Sequence, residues 1–577
     1  MEKYDVVIIG SGLGGLQCGY ILSKHGLKVC VLEKNDRTGG CIQTFRRGKC
    51  LFDTGFHYVG GLDDGQPLHR LFSYFGLMDL PWQRMDEDGF DEVVLRGRSY
   101  MFANGYERFA ATLSEQFPHQ RENLRRYAAF LRSVSDNIFG SFVKRSEDDV
   151  YGTSLFARSA YDYLTSTIDD PLLRNVLSGT SLKMELDPRT LPLYVFAQIN
   201  SSFIQSAWRL RGGGSQIAAS LVKSIEKNGG TVRRNACVTR LVEEHGRIVA
   251  AEIISPGNGN GSLGNGSGLH GNDNGLHGND NGLHENDNDR HGSDNGLQGN
   301  DNSLPENGSG LRENGNGSPE NGNGLLQPGA LQKLGTERVE AGYFISGIHP
   351  AATLSLITES AIIRNIYRKR INNLPCTYGM FTANIALKEN SVPYLNRNIY
   401  VYNTDDVWQY AVCKPENVNT CALVSFQPPA DGSPYTRNVD ILTPMYWPEI
   451  ERWADTAVGR RGDDYLSYKR QKMEACLRLV SGHIPGLEDA GNVIEKAYTS
   501  TMLTYRDYTG TPFGSAYGIR KNCEQLMTTL LSPRTPEPNL FLTGQNLNLH
   551  GILGVSMTSF LTCAEIIGMD KATEGLL

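Results

Sequence analysis

The chain has 577 residues, 39% hydrophobic and 21% charged, with 56 basic against 63 acidic residues and a net charge of −7. Residues 257–328 distort that balance: 36 of their 72 positions are Gly or Asn, and their ten acidic and two basic residues leave the rest of the chain at +1. That remainder gives nucleic acid no electrostatic footprint, no stretch reaches the roughly 18–20 apolar residues of a spanning helix, and eleven scattered cysteines form no Cys-x-x-Cys pair.

Met1–Asp5 runs directly into a strand without the apolar core of a signal peptide, so a reduced, cytoplasmic protein is expected. Tyr4–Ile9 reads as a buried parallel strand, β-branched and stopped by Gly10. A helix over 14–25 and a second strand over Leu27–Glu33 complete a βαβ unit. Residues 104–165 carry Phe109, Leu113, Phe117, Leu124, Tyr127 and Phe130 at helical spacing. A turn at Gly212 feeds a helix to Ile225, and Thr231–Arg234, Val238–Glu243 and Ile248–Ile254 read as strands. Next comes an internal repeat, in sevens from residue 268: GLHGNDN twice, then variants of it. Its composition cannot bury enough apolar area to offset chain entropy, so a disordered surface loop is expected. One Leu per heptad among Gly and Asn will not hold a coiled coil. The evenly spaced His270, His277, His284 and His291 are more simply copied with the repeat than selected to hold a metal, and no metal site is expected. Beyond it, Arg338–Ser346 is a strand, 372–445 mostly β, and Arg470–Ile484 a helix. Leu540–Thr543 is a last buried strand and Gly551–Gly568 a final helix.

The sharpest signal is Gly10-Ser-Gly12-Leu13-Gly14-Gly15, directly after a strand and opening a helix. Gly10 permits the tight turn, Gly12 lets the backbone approach a pyrophosphate, and Gly15 permits close packing on the sheet. The helix N-terminus offers unpaired N–H groups to phosphate oxygens. Glu33 follows at the end of the second strand, placed to accept hydrogen bonds from a ribose diol. A dinucleotide site is expected.

A second glycine pair follows in Lys34-Asn-Asp-Arg37-Thr-Gly39-Gly40, and then comes Phe52-Asp-Thr54-Gly55-Phe-His57. That order resembles flavin enzymes of the glutathione-reductase fold type. The C-terminal Leu542-Thr-Gly544-Gln545, followed by Gly551-Ile-Leu-Gly554-Val555-Ser-Met-Thr558, resembles the segment with which such enzymes meet the ribityl phosphate and pyrimidine edge. A helix N-terminus there would stabilise an anionic reduced ring. The two segments together favour FAD over NAD.

With Arg211-Gly-Gly-Gly-Ser215, Val238 and Ile345–Pro350 added, the sequence is similar to the flavin amine oxidase-like superfamily, in its phytoene desaturase, carotenoid isomerase and retinol saturase branch. The Leu-Thr-Gly-Gln form is closest to retinol saturases. Gln545 stands where many relatives have Asp, and Gly19 where Ala is common. The resemblance implies an α/β fold: a discontinuous glutathione-reductase-type FAD-binding Rossmann domain, a mixed α+β substrate domain and a helical subdomain. The FAD domain would comprise 1–100, 206–256, 329–365 and 531–577, with a helical substrate region at 101–205, the insert at 257–328 and a β-rich substrate domain at 366–530. The implied cofactor-binding set is Gly10, Gly12, Leu13, Gly14, Gly15, Glu33, Lys34, Gly39, Gly40, Thr54, Gly55, Val238, Gly347, Gly544, Gln545, Gly554, Val555 and Thr558.

Chemistry in this branch exchanges hydride between flavin and a C–C unit of a long apolar polyene, so saturation, desaturation and isomerisation all stay open. Saturation also requires an acid near the ring. His57, Tyr505, Tyr508, Tyr517 and His550 lie in segments expected to approach it, and His57, Tyr505, Tyr517 and His550 form the catalytic set. Each is equally readable as a packed, hydrogen-bonded side chain. The basic cluster Arg364–Arg370 could touch anionic headgroups and give peripheral membrane contact. NAD(P)H, quinone or oxygen could serve as electron partner, and no second glycine motif marks a separate nicotinamide domain. An amine oxidase, or a non-catalytic carrier of lipid or prenyl cargo, would use the same fold.

Overall fold

A computed structural model describes residues 3–143, 150–255, 336–408 and 420–576. The heptad repeat and its histidines lie outside the described residues.

Lys3–Ile9, Val29–Leu32 and Thr231–Arg233 pair in parallel, and Thr336–Ser346 joins the other side of Lys3–Ile9, also parallel. The strands are rich in Val and Ile with almost every side chain buried, as a sheet covered on both faces requires. Thr336–Ser346 is shared. Its first half pairs antiparallel with Arg247–Ile254, and its last residues, Phe344–Ser346, pair in parallel with Leu540–Leu542. Arg247–Ile254 in turn carries the edge strand Cys237–Glu244. One face is covered by helices Leu13–Lys24, Ser215–Lys227 and Gly551–Ile567, whose apolar positions form one core with the sheet. Gly19 has a packing reason: a Cβ there would stand 3.0 Å from Ile225 of the neighbouring helix.

A second sheet runs in the order Ile494–Ser500, Gly379–Leu387, Asn438–Met445, Cys421–Phe426, Asn398–Tyr402, Asp91–Leu95, Arg98–Phe102. All neighbours are antiparallel except Asn398–Tyr402 with Asp91–Leu95. Its strands at 91–102 lie across the boundary expected at residue 100, because pairing with Asn398–Tyr402 draws Asp91–Leu95 into this sheet. Helices Tyr106–Gln116, Arg121–Asp136, Ala160–Thr167, Pro171–Ser178 and Leu193–Gln205 bury their apolar stripes against one side of it.

Two element readings need correction. The helix read from Arg470 begins at Asp463, where Asp463 and Asp464 complement the positive helix N-terminus and Tyr465 is buried. Within the β-rich stretch, Met502–Thr509 is a helix whose Thr501 makes a capping box with Thr504. Among the described residues no helix is long and apolar enough to cross a membrane.

Candidate functional site

The carboxyl ends of the parallel strands converge on glycine turns. Gly10 has φ +91°, and Gly347 donates its N–H to the Ile9 carbonyl at 2.8 Å. A Cβ at Gly15 would stand 2.1 Å from the Gly10 carbonyl oxygen, so the turn closes only with glycine there. A Cβ on Gly12 would instead meet nothing within 4 Å, so the backbone at this position is approachable, as a pyrophosphate requires. Gly39 donates to the Ser11 carbonyl at 2.9 Å, and a Cβ on Gly40 would come within 3.3 Å of Gly12 Cα. The second glycine pair therefore lies against the first. Gly544, at φ +94°, completes the group, with its Cα 3.1 Å from where a Gly14 Cβ would be.

Glu33 anchors this cradle. Its Oε2 accepts from the Ser11 N–H at 3.0 Å and the Ser11 hydroxyl at 2.6 Å, and its Oε1 accepts from the Asn35 N–H at 2.9 Å. A carboxylate offers about four acceptor positions, so one remains for a ribose hydroxyl. Lys34 donates to the Asp507 carbonyl at 3.3 Å, while Asn35 donates to the Tyr508 carbonyl. Helix Met502–Thr509 thus closes the cleft from the second sheet. Burial lowers the Lys34 pKa, against the opposing pull of Glu33.

Of the other expected contacts, Val238 is half-buried in the edge strand opposite Ile253. Leu13 and Val555 are buried and pack in the core, and Gly554 lets the helix start lie on Leu549. Gln545 is half-buried in the turn after Leu540–Leu542. Thr558 is buried one turn into the helix, and its hydroxyl donates to the Gly554 carbonyl at 2.9 Å.

Between the cradle and the second sheet lies a cavity lined by Cys41, Asp53, Thr54, Thr382, Asn384 and Tyr505, among others. Tyr505 donates its hydroxyl proton to the Thr54 carbonyl at 2.8 Å and lies 3.2 Å from the Thr382 hydroxyl. Tyr508 lines the same cavity. Gly55 keeps open surface beside it. His57 is different: its ring nitrogens are buried without a hydrogen-bond partner, and Nδ1 stands 3.8 Å from Asp440 Oδ2. Burial, reinforced by Arg209, lowers its pKa to about 4, so the ring is neutral. Tyr517 and His550 lie together, ring centroids 4.7 Å apart, on the side of the turn Ser181–Met184. Burial lowers His550 to about 4 as well. The candidates thus fall into three groups: Tyr505 and Tyr508, then His57, then Tyr517 with His550.

Two polar networks escaped the sequence. Gln427 Nε2 donates to Asp53 Oδ2 at 3.2 Å and to Asp440 Oδ2 at 3.3 Å, while Asn384 donates to Asp440 Oδ1 at 2.7 Å. Asp53 also accepts from the Gly214 N–H at 2.8 Å, which explains the Gly-Gly-Gly run: a Cβ on Gly213 would come within 2.4 Å of Thr44 and 2.9 Å of Asp53. Burial raises Asp53 to about 8 and Asp440 to about 7, so both hold protons well above the ordinary carboxylate range. The second network joins Lys183, Tyr58, Asp91 and Tyr400. Its members come from positions 58, 91, 183 and 400, and no local motif announces them.

Against known proteins, residues 8–75 match the NAD(P)-binding Rossmann-like domain. The all-trans-retinol 13,14-reductase of Danio rerio is 26% identical over 592 residues, covering 98% of this chain and 86% of that protein. The human protein of the same name is 24% identical over 600 residues, with the same coverage. A prolycopene isomerase of an Oncidium hybrid cultivar is 23% identical over 269 residues, 44% of this chain and 46% of its own. Among solved structures, a putrescine oxidase bound to putrescine covers 98% of this chain and 99% of its own with a TM-score of 0.56 at 14% identity. An oxidoreductase from Methanosarcina mazei covers 97% and 99%, with a TM-score of 0.54 at 14% identity. Fold and glycine cradle therefore define an oxidoreductase with a flavin-type dinucleotide site. Nearly the whole chain is thus similar to proteins named as all-trans-retinol 13,14-reductases, and less than half of it to a prolycopene isomerase.

Proposed function

We propose that this protein is an FAD-dependent oxidoreductase that reduces a carbon–carbon double bond of a lipophilic polyene of retinoid or carotenoid type. The observation that carries the reading is the meeting of Gly12, Gly40, Gly544 and Glu33 on one cleft that continues into the cavity lined by Thr54 and Tyr505. Relatives named as reductases run along nearly the whole chain, whereas the isomerase aligns with less than half of it. That contrast favours saturation over desaturation or isomerisation.

FAD bound in this cleft would supply two-electron hydride chemistry. Glu33 would hold the ribose, the Gly12–Gly15 N–H groups the pyrophosphate, and the start of helix Gly551–Ile567 the pyrimidine edge. The remaining task belongs to the chain: an acid must deliver a proton to the carbon that does not receive hydride.

A polyene dissolved in lipid must be collected at a bilayer. Ile366 and Met527 are 77% and 87% exposed, and Arg370 of the same short helix donates to the Met527 carbonyl at 3.4 Å. Arg364, Lys369 and Arg370 frame this apolar pair with positive charge, which supports peripheral contact with an anionic bilayer.

The test is optical. The purified protein should show flavin absorption that dithionite bleaches, and the reduced protein should shorten the chromophore of all-trans-retinol or a carotenoid. Flavin-free protein, or a loaded protein that leaves every polyene intact, would refute the reading.

A further inference from the structure

Two of the candidate acids are committed to holding a turn. Tyr517 donates its hydroxyl proton to the Leu182 carbonyl, and His550 Nε2 lies 2.9 Å from the Lys183 carbonyl. A carbonyl only accepts, so His550 carries its proton on Nε2 and directs it there. Tyr378 adds a third bond, from its hydroxyl to the Met184 carbonyl at 2.9 Å. Side chains from positions 378, 517 and 550 therefore clamp three successive carbonyls, and the residue at the centre of that clamp is Lys183.

Lys183 reaches inward. Its Nζ donates to the Tyr58 hydroxyl at 3.0 Å and lies 3.6 Å from Asp91 Oδ2. Tyr58 gives its own proton to Asp91 at 2.8 Å, so it accepts from both Lys183 and Tyr400, the latter 2.7 Å away. Asp91 is held from its other side by Asn398, which Arg209 engages in turn. The ammonium also sits 4.0 Å from the centroid of Phe203. Its side chain keeps 11% of its surface open, whereas that of Asp91 is fully buried, and His550, which holds the Lys183 carbonyl, stands directly before helix Gly551–Ile567.

We propose that Lys183 is the group that protonates the polyene carbon opposite the hydride. The proposal rests on the reductase reading above. The saturated unit gains one hydrogen as hydride from reduced FAD and the other as a proton from Nζ. A C–H bond forms as the N–H bond breaks, the two electrons come from the cofactor, and the neutral amine regains its proton from water. Tyr517 and His550 act as positioning residues. The environment suits the role: burial lowers Lys183 to about 8, with Asp91 opposing, so the ammonium is a better acid than an ordinary lysine. Tyr58, Tyr400, Asp91 and, through Asn398, Arg209 are the polar groups around it.

One test needs neither flavin nor substrate. The acetylation rate of Lys183 by a small amine-specific reagent, read by mass spectrometry of the intact protein, should rise with a midpoint near pH 8. A midpoint at the ordinary lysine position, or no reaction at any pH, would overturn the proposal. In flavin-loaded protein, Lys183→Met should slow single-turnover saturation of retinol by about 10²- to 10⁴-fold with unchanged retinol affinity, and should melt lower because it leaves Asp91 without its cation. Lys183→Arg keeps the charge beside Phe203 but holds its proton too tightly, so it should fold normally and remain slow. If either variant matches a saturating wild type, only the proton assignment falls; a wild type that saturates nothing removes the functional reading as well.

Discussion

Glu33 shows how one side chain ties sequence to site. Its place at the strand end beside the glycine turn was legible because motif and strand end lie close together in the chain, and the structure adds that it pins Ser11 and Asn35. With FAD bound as proposed, Glu33→Ala would remove a charge-assisted bond to ribose, and it loosens the turn that presents Gly12. The first loss costs roughly 1.5–3 kcal/mol, about ten- to hundredfold in FAD affinity, measurable by titrating apo-protein with FAD. Unchanged affinity would contradict the placement of the adenosine. Asp53, Asp440 and Lys183 were not legible, because their partners are brought together by tertiary packing alone. Asp440 makes a second prediction. Its native pKa is raised to about 7 from an ordinary value near 3.8, so between these values the folded state binds more protons than the unfolded one. Stability must then fall as pH rises through that window, by a few kcal/mol at about 1.4 kcal/mol per unit. Asp440→Asn, which cannot ionise, should make the fall in melting temperature across the same window shallower, with Asp53 supplying what remains. An unaltered pH profile would mean that Asp440 is ionised in the native state.

Elements were read well where periodicity is local and less well where packing decides. The βαβ unit and the strands after Gly230 lie within a residue or two of their expected bounds. Helix Met502–Thr509 was hidden in a β-rich stretch, since its aromatic residues read equally as strand. Its position was beyond sequence reasoning, because it bridges Lys34 and Asn35 on one side and Thr54 on the other. The strands flanking the heptad repeat bear on a third prediction. Ile254 pairs directly with Thr336, so the chain leaves and re-enters the sheet at adjacent positions that a short turn can join. Loop closure costs only about 0.6 kcal/mol per doubling of length. Replacing residues 257–328 with a short Gly/Asn turn should preserve flavin content and raise the melting temperature slightly or leave it unchanged. Loss of flavin or failure to fold would show that the segment packs on the enzyme.

Across the whole molecule, the two sheets meet at the cleft, and much of what joins them is polar and buried. Gln427 bridges Asp440 of the second sheet to Asp53, Asn438 donates to the Leu51 carbonyl, and Tyr505 holds Thr54. The glycine cradle could be read from contiguous motifs, whereas the polar networks of the second sheet are assembled from remote positions and emerged only with the fold. The most direct measurement is anaerobic: the purified protein is reduced with one equivalent of dithionite and mixed with all-trans-retinol or a carotenoid. Flavin absorption and the polyene spectrum are then followed together. The account predicts that flavin colour returns in step with loss of one conjugated double bond. Flavin that stays bleached beside an unchanged polyene, or a protein that oxidises amines instead, would contradict it.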